Sequence, residues 1–111
     1  MEFIDFESFL KVDMRVGKVV KAEIRKDAIK PAIKLWIEFG GEIGLKKSSA
    51  QITETYSPEK LLGEKVVAVV NLKPRQIGSF MSEVLVLGAL SSDGISLLQI
   101  QDGVRVGERI H

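Results

Sequence analysis

Residues 71–89, NLKPRQIGSFMSEVLVLGA, join two apolar segments that are predicted to be core strands. The segment before them, residues 66–70, is too apolar to face water on either side, and residues 84–87 are the second apolar segment. A loop that is held at both ends by core strands presents its polar side chains at a fixed place. No acidic residue lies between Lys65 and Glu83. We therefore interpret this stretch as a basic binding loop.

Away from this loop, the alternation of apolar and polar residues predicts antiparallel strands. Residues 14–25 form the first strand, with Gly17 as the site of a bend or a bulge. Residues 33–39 form the second strand, with Trp36 on its polar side, and residues 42–52 contain the third. The side chains expected to point inward from the first two strands are Met14, Val16, Val20, Ala22, Ile24, Ile33, Leu35, Ile37 and Phe39.

Two short helices are predicted from their end signals. Ser57 is a preferred N-cap residue and Pro58 suits the first helical position, so a helix begins there. Gly63 ends this helix after barely two turns. Near the N-terminus, Asp5 is expected to cap a second helix over residues 6–11.

The order of these elements predicts an all-β fold. Five main strands with a short helix after the third, and a short N-terminal helix, are typical of a small barrel of the oligonucleotide/oligosaccharide-binding (OB) kind. We expect a single domain over residues 1–111, with its core from about residue 9. In such barrels two loops flank the binding face. Here those loops are residues 25–32 and 72–82, the most basic connections in the chain, which favours a nucleic acid as ligand.

The composition argues against several classes of function. The chain has no cysteine, and its single histidine is His111, so thiolate catalysis and a Ser-His-Asp triad are excluded. We expect no enzyme activity, no cofactor and no metal site. No run of about 18 apolar residues is present, so no membrane insertion is expected. The N-terminus is acidic rather than basic-then-apolar, so we expect no signal peptide and a cytoplasmic protein.

The charge is unevenly distributed, although the formal net charge is only +1. Residues 11–34 carry a net charge of +5 and residues 46–75 carry +3, whereas the rest of the chain is acidic. If the two basic segments lie side by side in the fold, they form a positive face that suits a polyanion. The alternative is that these are ordinary solvated lysines.

Several motifs resemble a known family. SSAQIT (residues 48–53), followed by Tyr56, Pro58 and Gly63 and then by VVNLKPRQIGSFMSEVLVLGA, resembles the tRNA-binding OB domain that occurs alone or appended to aminoacyl-tRNA synthetases. The blocks PAIKLWIEFGGEIGLKKSSAQIT and FMSEVLVLG are most similar to the free-standing CsaA type, which is described as an export-related chaperone. The resemblance extends from about Phe9 onward.

The resemblance implies tRNA or other structured RNA as one partner. The CsaA type further implies unfolded preproteins, possible contact with the export machinery, and a homodimer. Synthetase-appended members usually carry Gly-Met where this chain has Val84 and Leu85. This difference favours the chaperone branch. A purely RNA-binding module without a chaperone role is the alternative.

The candidate RNA-binding residues fall into two chemical groups. The basic ones can pair with backbone phosphates, or they are solvent-facing charges that set solubility. These are Lys46, Lys47, Lys73 and Arg75. The neutral ones can read base edges or sugar hydroxyls, or they satisfy the backbone at strand ends. These are Ser49, Gln51, Asn71 and Ser82.

The loop also carries more apolar side chain than a connector needs, which suggests a surface for unfolded peptides. We expect its apolar residues to be exposed or half-exposed. The candidate peptide-binding residues are Trp36, Ile77, Phe80, Met81 and Leu85. Trp36 has two further interpretations, a stacking platform for a base or burial beneath a loop or a subunit.

Three phenylalanines lie within the first nine residues, which is unusual for a terminus. Termini fray unless something covers them. Either the body of the domain or a second subunit does so. We expect Phe3, Phe6 and Phe9 to lie at a homodimer interface, together with the C-terminal segment.

Overall fold

The computed structural model describes residues 1–25 and 30–111. Two short helices and nine strands are assigned in these residues. The helices are α1 (Phe6–Leu10) and α2 (Pro58–Leu61). The strands are β1 (Met14–Arg25), β2 (Ala32–Glu38), β3 (Leu45–Ala50), β4 (Lys65–Val69), β5 (Arg75–Ile77), β6 (Phe80–Ser82), β7 (Leu85–Val86), β8 (Gly88–Ser91) and β9 (Gly94–Leu97). The predicted basic loop between the first two strands falls partly on residues 26–29, which lie outside the described residues.

Five strands form one antiparallel sheet in the order β3-β2-β1-β4-β7. This curled sheet and the short helix after the third strand confirm the predicted all-β, OB-like fold. As predicted, β4 is a central strand, and Val66 to Val69 are all buried. None of the helices in the described ranges is long and apolar enough to cross a membrane.

The core lies on the inner face of this sheet, and β2 supplies its centre. Ile33, Leu35 and Ile37 are fully buried, and Phe39 follows them just beyond the strand. The side chains between them, including Trp36, are only half-buried. The alternation predicted for this strand is confirmed.

The first strand departs from its predicted alternation because it contains an irregularity between Val19 and Lys21. An extra residue at a bulge moves every later side chain to the other face. Val19, which precedes the irregularity, is fully buried, whereas the unpaired Val20 is 46% exposed. Beyond the irregularity Ala22 packs against the core, as predicted. The prediction that Val20 points inward, on the same face as Val16, is wrong.

Gly17 serves close packing instead of forming the bulge. A Cβ atom at this position would lie 2.5 Å from Ile37 Cγ2 and 2.6 Å from Phe39 Cε1. These separations are shorter than non-bonded carbon atoms adopt, and both neighbours are core side chains. The glycine therefore lets β1 approach the core side chains Ile37 and Phe39 closely.

The predicted binding loop contains regular structure of its own. Strands β5 and β6 pair as a hairpin, with Gly78 at positive φ in the turn. After it, the strand predicted over residues 84–87 is reduced to β7, which pairs with β4, and β8 beyond it forms a separate hairpin with β9.

Both predicted helices are present, with different caps. Ser57 Oγ accepts a hydrogen bond from Lys60 N at 3.4 Å, and Pro58 occupies the first turn, as predicted. Asp5 is the N-cap residue of α1, but its side chain makes no capping hydrogen bond. No side chain of α1 is buried within the chain.

The two ends of the described chain meet on β1. Ile110 N donates to Met14 O at 2.8 Å. Arg15 Nε donates to Asp13 Oδ1 at 2.6 Å, and Arg109 Nε lies 3.7 Å from the same oxygen. The hydrogen bond from Arg15 holds the pKa of Asp13 below its usual value, and the same bond raises the pKa of Arg15.

Candidate nucleic-acid interface

Two rows of side chains lie across the outer face of the sheet, opposite the core. In the first row Trp36 on β2 is the register partner of Lys21 on β1 and of Lys47 on β3. In the second row Lys34 on β2 is the partner of Glu23 and of Ser49. Directly opposed residues of antiparallel strands share a face, so these six residues form one surface.

The β5–β6 hairpin places one aromatic ring against this surface. The ring centroids of Phe80 and Trp36 are 5.7 Å apart and the rings meet edge to face, at 77°. Such pairs add stability beyond the area that they bury. Phe80 is only 6% exposed. The expectation that Phe80 is exposed or half-exposed is wrong, because its ring packs against Trp36 on a distant strand.

Three ammonium groups lie close to this aromatic pair. Lys21 Nζ is 4.7 Å from the Trp36 ring centroid, within cation–π distance. Lys34 Nζ and Lys47 Nζ are 5.5 and 5.3 Å from the Phe80 centroid. Lys21 also forms a 3.4 Å ion pair with Glu23. Positive charge is thus concentrated around the two rings.

The hairpin is fixed to β3 by Ser82, its last residue, and by Glu83, which follows it. Ser49 N donates to Ser82 Oγ at 3.1 Å, and Lys47 N donates to Glu83 Oε1 at 3.0 Å. Glu83 N in turn donates to Lys47 O at 2.8 Å. Ser82 therefore satisfies the backbone, which is the second of the two roles considered for it.

Asn71 also has a structural role. Its Oδ1 accepts from Asp13 N at 2.9 Å, and its Nδ2 donates to Lys11 O at 2.7 Å. These bonds tie the end of β4 to the segment between α1 and β1. Like Ser82, Asn71 has its polar groups engaged within the chain.

The four predicted phosphate contacts are not all brought together. Lys46 is the register partner of the core residue Ile37, whereas Lys47 is the partner of Trp36. The two neighbouring lysines therefore lie on opposite faces of β3. Lys73 and Arg75 are exposed at the start of the hairpin.

A cleft of about 720 Å³ borders the far end of β3. Ser49, Gln51 and Leu85 are among its lining residues, which places two predicted RNA contacts beside a predicted peptide contact. Leu85 is 51% exposed, and Leu90 on the same cleft is 82% exposed. The half-buried Ile77 and Met81 belong instead to the hairpin.

The N-terminal phenylalanines are largely uncovered in the single chain. Phe3 is 88% and Phe6 is 71% exposed, while Phe9 is half-buried. The rings of Phe6 and Phe9 are 6.1 Å apart. Their assignment to a homodimer interface stays a prediction.

Sequence reasoning missed Lys21 and Lys34 as site residues. Both lie on the polar side of well-patterned strands, but their proximity to the aromatic pair depends on strand register. The alternation around Trp36 was the available signal. It shows that Lys34 shares a face with Trp36, but it cannot show that Lys21 does, because the irregularity in β1 intervenes.

The comparisons with known proteins agree with this architecture. The chain matches the family described as putative tRNA binding domain over residues 14–109. The methionine–tRNA ligase of Bdellovibrio bacteriovorus is 41% identical over 108 residues, which are 96% of this chain and 15% of the ligase. The chain thus spans only a small part of that curated relative.

Solved structures are similar over nearly the whole chain. The CsaA chaperone protein of Picrophilus torridus is 50% identical with a TM-score of 0.92, and 98% of this chain matches 100% of that one. The MetRS related protein of Pyrococcus horikoshii is 37% identical with a TM-score of 0.89 over 100% of both chains. The chain belongs to the family of putative tRNA-binding domains.

Proposed function

We propose that this protein binds tRNA or other structured RNA, without catalysis, on the outer face of β1–β3 and the adjoining β5–β6 hairpin. The observation that carries the proposal is the group of three lysines around Trp36 and Phe80. Lys73 and Arg75 extend the positive charge along the hairpin. Lysine and arginine contacts to phosphates supply most of the affinity of proteins for nucleic acids.

Two further observations support this proposal. Residues 66–82 carry no carboxylate, so no acidic side chain in this stretch offsets the positive charges of Lys73 and Arg75. The chain also belongs to a family named for tRNA binding, and its ligase relative is named as acting on tRNA. A polyanionic ligand would be attracted to this face at long range as well as bound there.

The proposal is tested by titrating tRNA against the protein over a range of salt concentrations. Replacing Lys73 and Arg75 by alanine should weaken binding and flatten the slope of log K against log salt by about 0.7 per lost phosphate contact. A matched control removes the same charge elsewhere, at Lys60 and Arg105, both exposed. Equal effects of the two double variants, or a salt-independent affinity, would contradict the proposal.

A second function is favoured by the cleft at the end of β3. We propose that this cleft holds unfolded preproteins, because Leu85 and Leu90 are exposed beside it and the chain is similar to a CsaA chaperone protein. A contact with the export machinery and a cytoplasmic location belong to the same proposal. Isolated apolar residues on a surface are ordinary, but two that flank a cleft form a candidate peptide contact.

A competition experiment separates the two functions. tRNA and a non-native polypeptide are titrated against each other with the wild type and with a Leu85→Ser variant. The chaperone proposal requires Leu85→Ser to weaken polypeptide binding while tRNA binding is retained. Undetectable polypeptide binding by the wild type would leave RNA as the proposed ligand.

We also propose that the protein is a homodimer formed through Phe3, Phe6 and Phe9. Exposed rings at the start of the chain are the supporting observation. Sedimentation equilibrium tests it with a Phe3→Ser/Phe6→Ser variant, which should be monomeric and still folded. A wild type that sediments as a folded monomer at micromolar concentration would refute this part of the proposal.

A further inference from the structure

We infer that Lys21, Lys34 and Lys47, here termed the lysine triad, form a subsite for the phosphates of an RNA backbone. In this subsite Trp36 and Phe80 position the ammonium groups and do not stack on bases. Glu23 limits the affinity. The inference rests on the proposed RNA-binding function and specifies which part of the RNA this surface contacts.

The strand pairing brings the triad together. Lys21 and Lys47 flank Trp36 on either side in one row, and Lys34 lies one row further along β2. Neighbouring strands are about 4.8 Å apart, so Lys21 and Lys47 are about 10 Å apart at the backbone. Lys34 is a diagonal neighbour of both. Three flexible side chains over so small an area can converge on one short stretch of backbone.

The aromatic pair already makes contacts within the chain that limit its access to a base. Lys21 Nζ lies over the Trp36 ring, and the edge-to-face contact with Phe80 uses a further part of Trp36. A stacked base needs an open ring face. To stack on the Trp36 face over which Lys21 Nζ lies, a base would have to displace that ammonium group. Phe80 is buried, and its hairpin is fixed to β3 through Ser82 and Glu83.

The ammonium groups retain hydrogen-bonding capacity that phosphate can use. Each lysine has three N–H donors and no acceptor. Within the described ranges, neither Lys34 nor Lys47 forms an ion pair with a carboxylate. A ring face attracts the charge, but phosphate oxygens accept charge-assisted hydrogen bonds as well. The rings thus hold the charged ends in place, and the strongest bonds are left for the ligand.

Glu23 is the carboxylate of this surface that competes with a phosphate. It forms the 3.4 Å ion pair with Lys21 and is also the register partner of Lys34. An incoming phosphate must displace Glu23 from Lys21 and accept some repulsion from it. Removing this charge should therefore strengthen RNA binding, an effect opposite in sign to that of the lysine substitutions.

The test measures fluorescence anisotropy with two labelled probes of equal phosphate number, a blunt RNA duplex and single-stranded oligouridylate. Lys21→Gln, Lys34→Gln and Lys47→Gln are each expected to weaken binding of the duplex about fivefold at physiological salt and to flatten its salt slope by about 0.9. Lys60→Gln is the matched control, with the same charge loss at α2. Glu23→Gln should bind about twofold more tightly.

Trp36 provides a second readout, because it is the only tryptophan in the chain. Phosphate binding at the triad should leave its emission largely unquenched by oligouridylate, whereas a base stacked on the indole would quench it strongly. Thermal unfolding of every variant by circular dichroism checks that the fold is kept. Strong quenching, or triad variants that behave like Lys60→Gln while the wild type still binds RNA, would overturn the inference alone. A wild type that binds neither probe nor tRNA would instead refute the proposed function.

Discussion

The outer face of β1–β3 and the cleft at the end of β3 share that strand but differ in chemistry. The outer face holds the lysine triad around an aromatic pair in which Phe80 is buried and Trp36 is half-buried. The cleft exposes Leu85 and Leu90. The sequence-based interpretation assigned charge and apolar contact to one face. In the structure Trp36 and Phe80 lie among the lysines, whereas Leu85 lies at the cleft, and Ser49 adjoins both. The two proposed ligands can therefore be tested by different substitutions.

The largest expected effect comes from Phe80→Ala, which removes one ring of the aromatic pair. Truncating a buried phenylalanine costs about 3 kcal/mol of unfolding free energy. The variant also removes the ring near which Lys34 and Lys47 lie, so RNA affinity should fall. Polypeptide binding at the cleft should persist in the folded fraction. Urea denaturation and the two titrations measure these effects.

Loss of polypeptide binding by folded Phe80→Ala, with RNA binding intact, would reverse the assignment of the two surfaces. Phe80→Leu is the conservative control, since it keeps apolar bulk and removes the aromatic ring. It should retain most of the stability and lose part of the RNA affinity.

A smaller loss of stability is expected for Gly17→Ala, which affects the shared core. The new methyl group would meet Ile37 and Phe39 at distances of 2.5 and 2.6 Å. Overpacking of this kind costs about 2 kcal/mol. Because β1 supports both surfaces, we expect the folded variant to bind RNA and polypeptide in the same ratio as the wild type. A change in that ratio would mean that the two surfaces are coupled through the core.

The pH dependence tests the third region, where the ends of the described chain meet. The pKa of Asp13 is lowered by its hydrogen bond to Arg15, so the folded state binds the proton less tightly than the unfolded chain. This stabilisation is complete above the usual carboxyl value of 3.8 and is lost as the pH falls through the folded pKa below it. Asp13→Asn should lower the unfolding free energy by about 1 kcal/mol at neutral pH. On acidification its unfolding free energy should fall less than that of the wild type.

Urea denaturation of the wild type and Asp13→Asn at neutral and acidic pH measures this difference. Glu59→Gln, at an exposed position of α2, is the control for removing a carboxylate. If Asp13→Asn and Glu59→Gln both lose as much unfolding free energy on acidification as the wild type, the hydrogen bond between Asp13 and Arg15 is not the source of the pH dependence. Asp13 belongs neither to the two rows of the outer face nor to the cleft lining, so Asp13→Asn should leave both ligand affinities unchanged at neutral pH.

The parts of the fold that sequence predicted are those set by local pattern. The inward residues of β2 and the Ser57–Pro58 helix start follow from alternation and from capping chemistry. The burial of Val19 and the exposure of Val20 could not be predicted, because the irregularity beside them depends on pairing with β2. A periodic pattern shows which residues share a face, but it does not show where the pattern slips.

The candidate site was less predictable because it depends on contacts between distant segments. Lys47, Lys73 and Arg75 were identifiable from local charge. Phe80 was expected to be exposed, because nothing in its neighbourhood of sequence shows that Trp36 covers it. The hydrogen bonds of Asn71 and Ser82 to backbone groups depend in the same way on the final fold. Residue type indicated which side chains have groups that could bind a ligand. Tertiary contacts determine which of these groups are already buried or hydrogen-bonded within the chain.

The smallest expected change in stability is that of Leu85→Ser, which gives the sharpest test of the separation between the two surfaces. Leu85 is half exposed, so its replacement should alter the unfolding free energy by only about 0.5 kcal/mol. Polypeptide affinity should nevertheless fall, because the cleft loses one of its two exposed leucines. Leu62→Ser is the matched control, since Leu62 is 58% exposed beside α2 and lies outside the cleft. Equal losses of polypeptide affinity in both variants would indicate general surface stickiness. A loss of RNA affinity in Leu85→Ser alone would show that one ligand site spans the cleft and the outer face together.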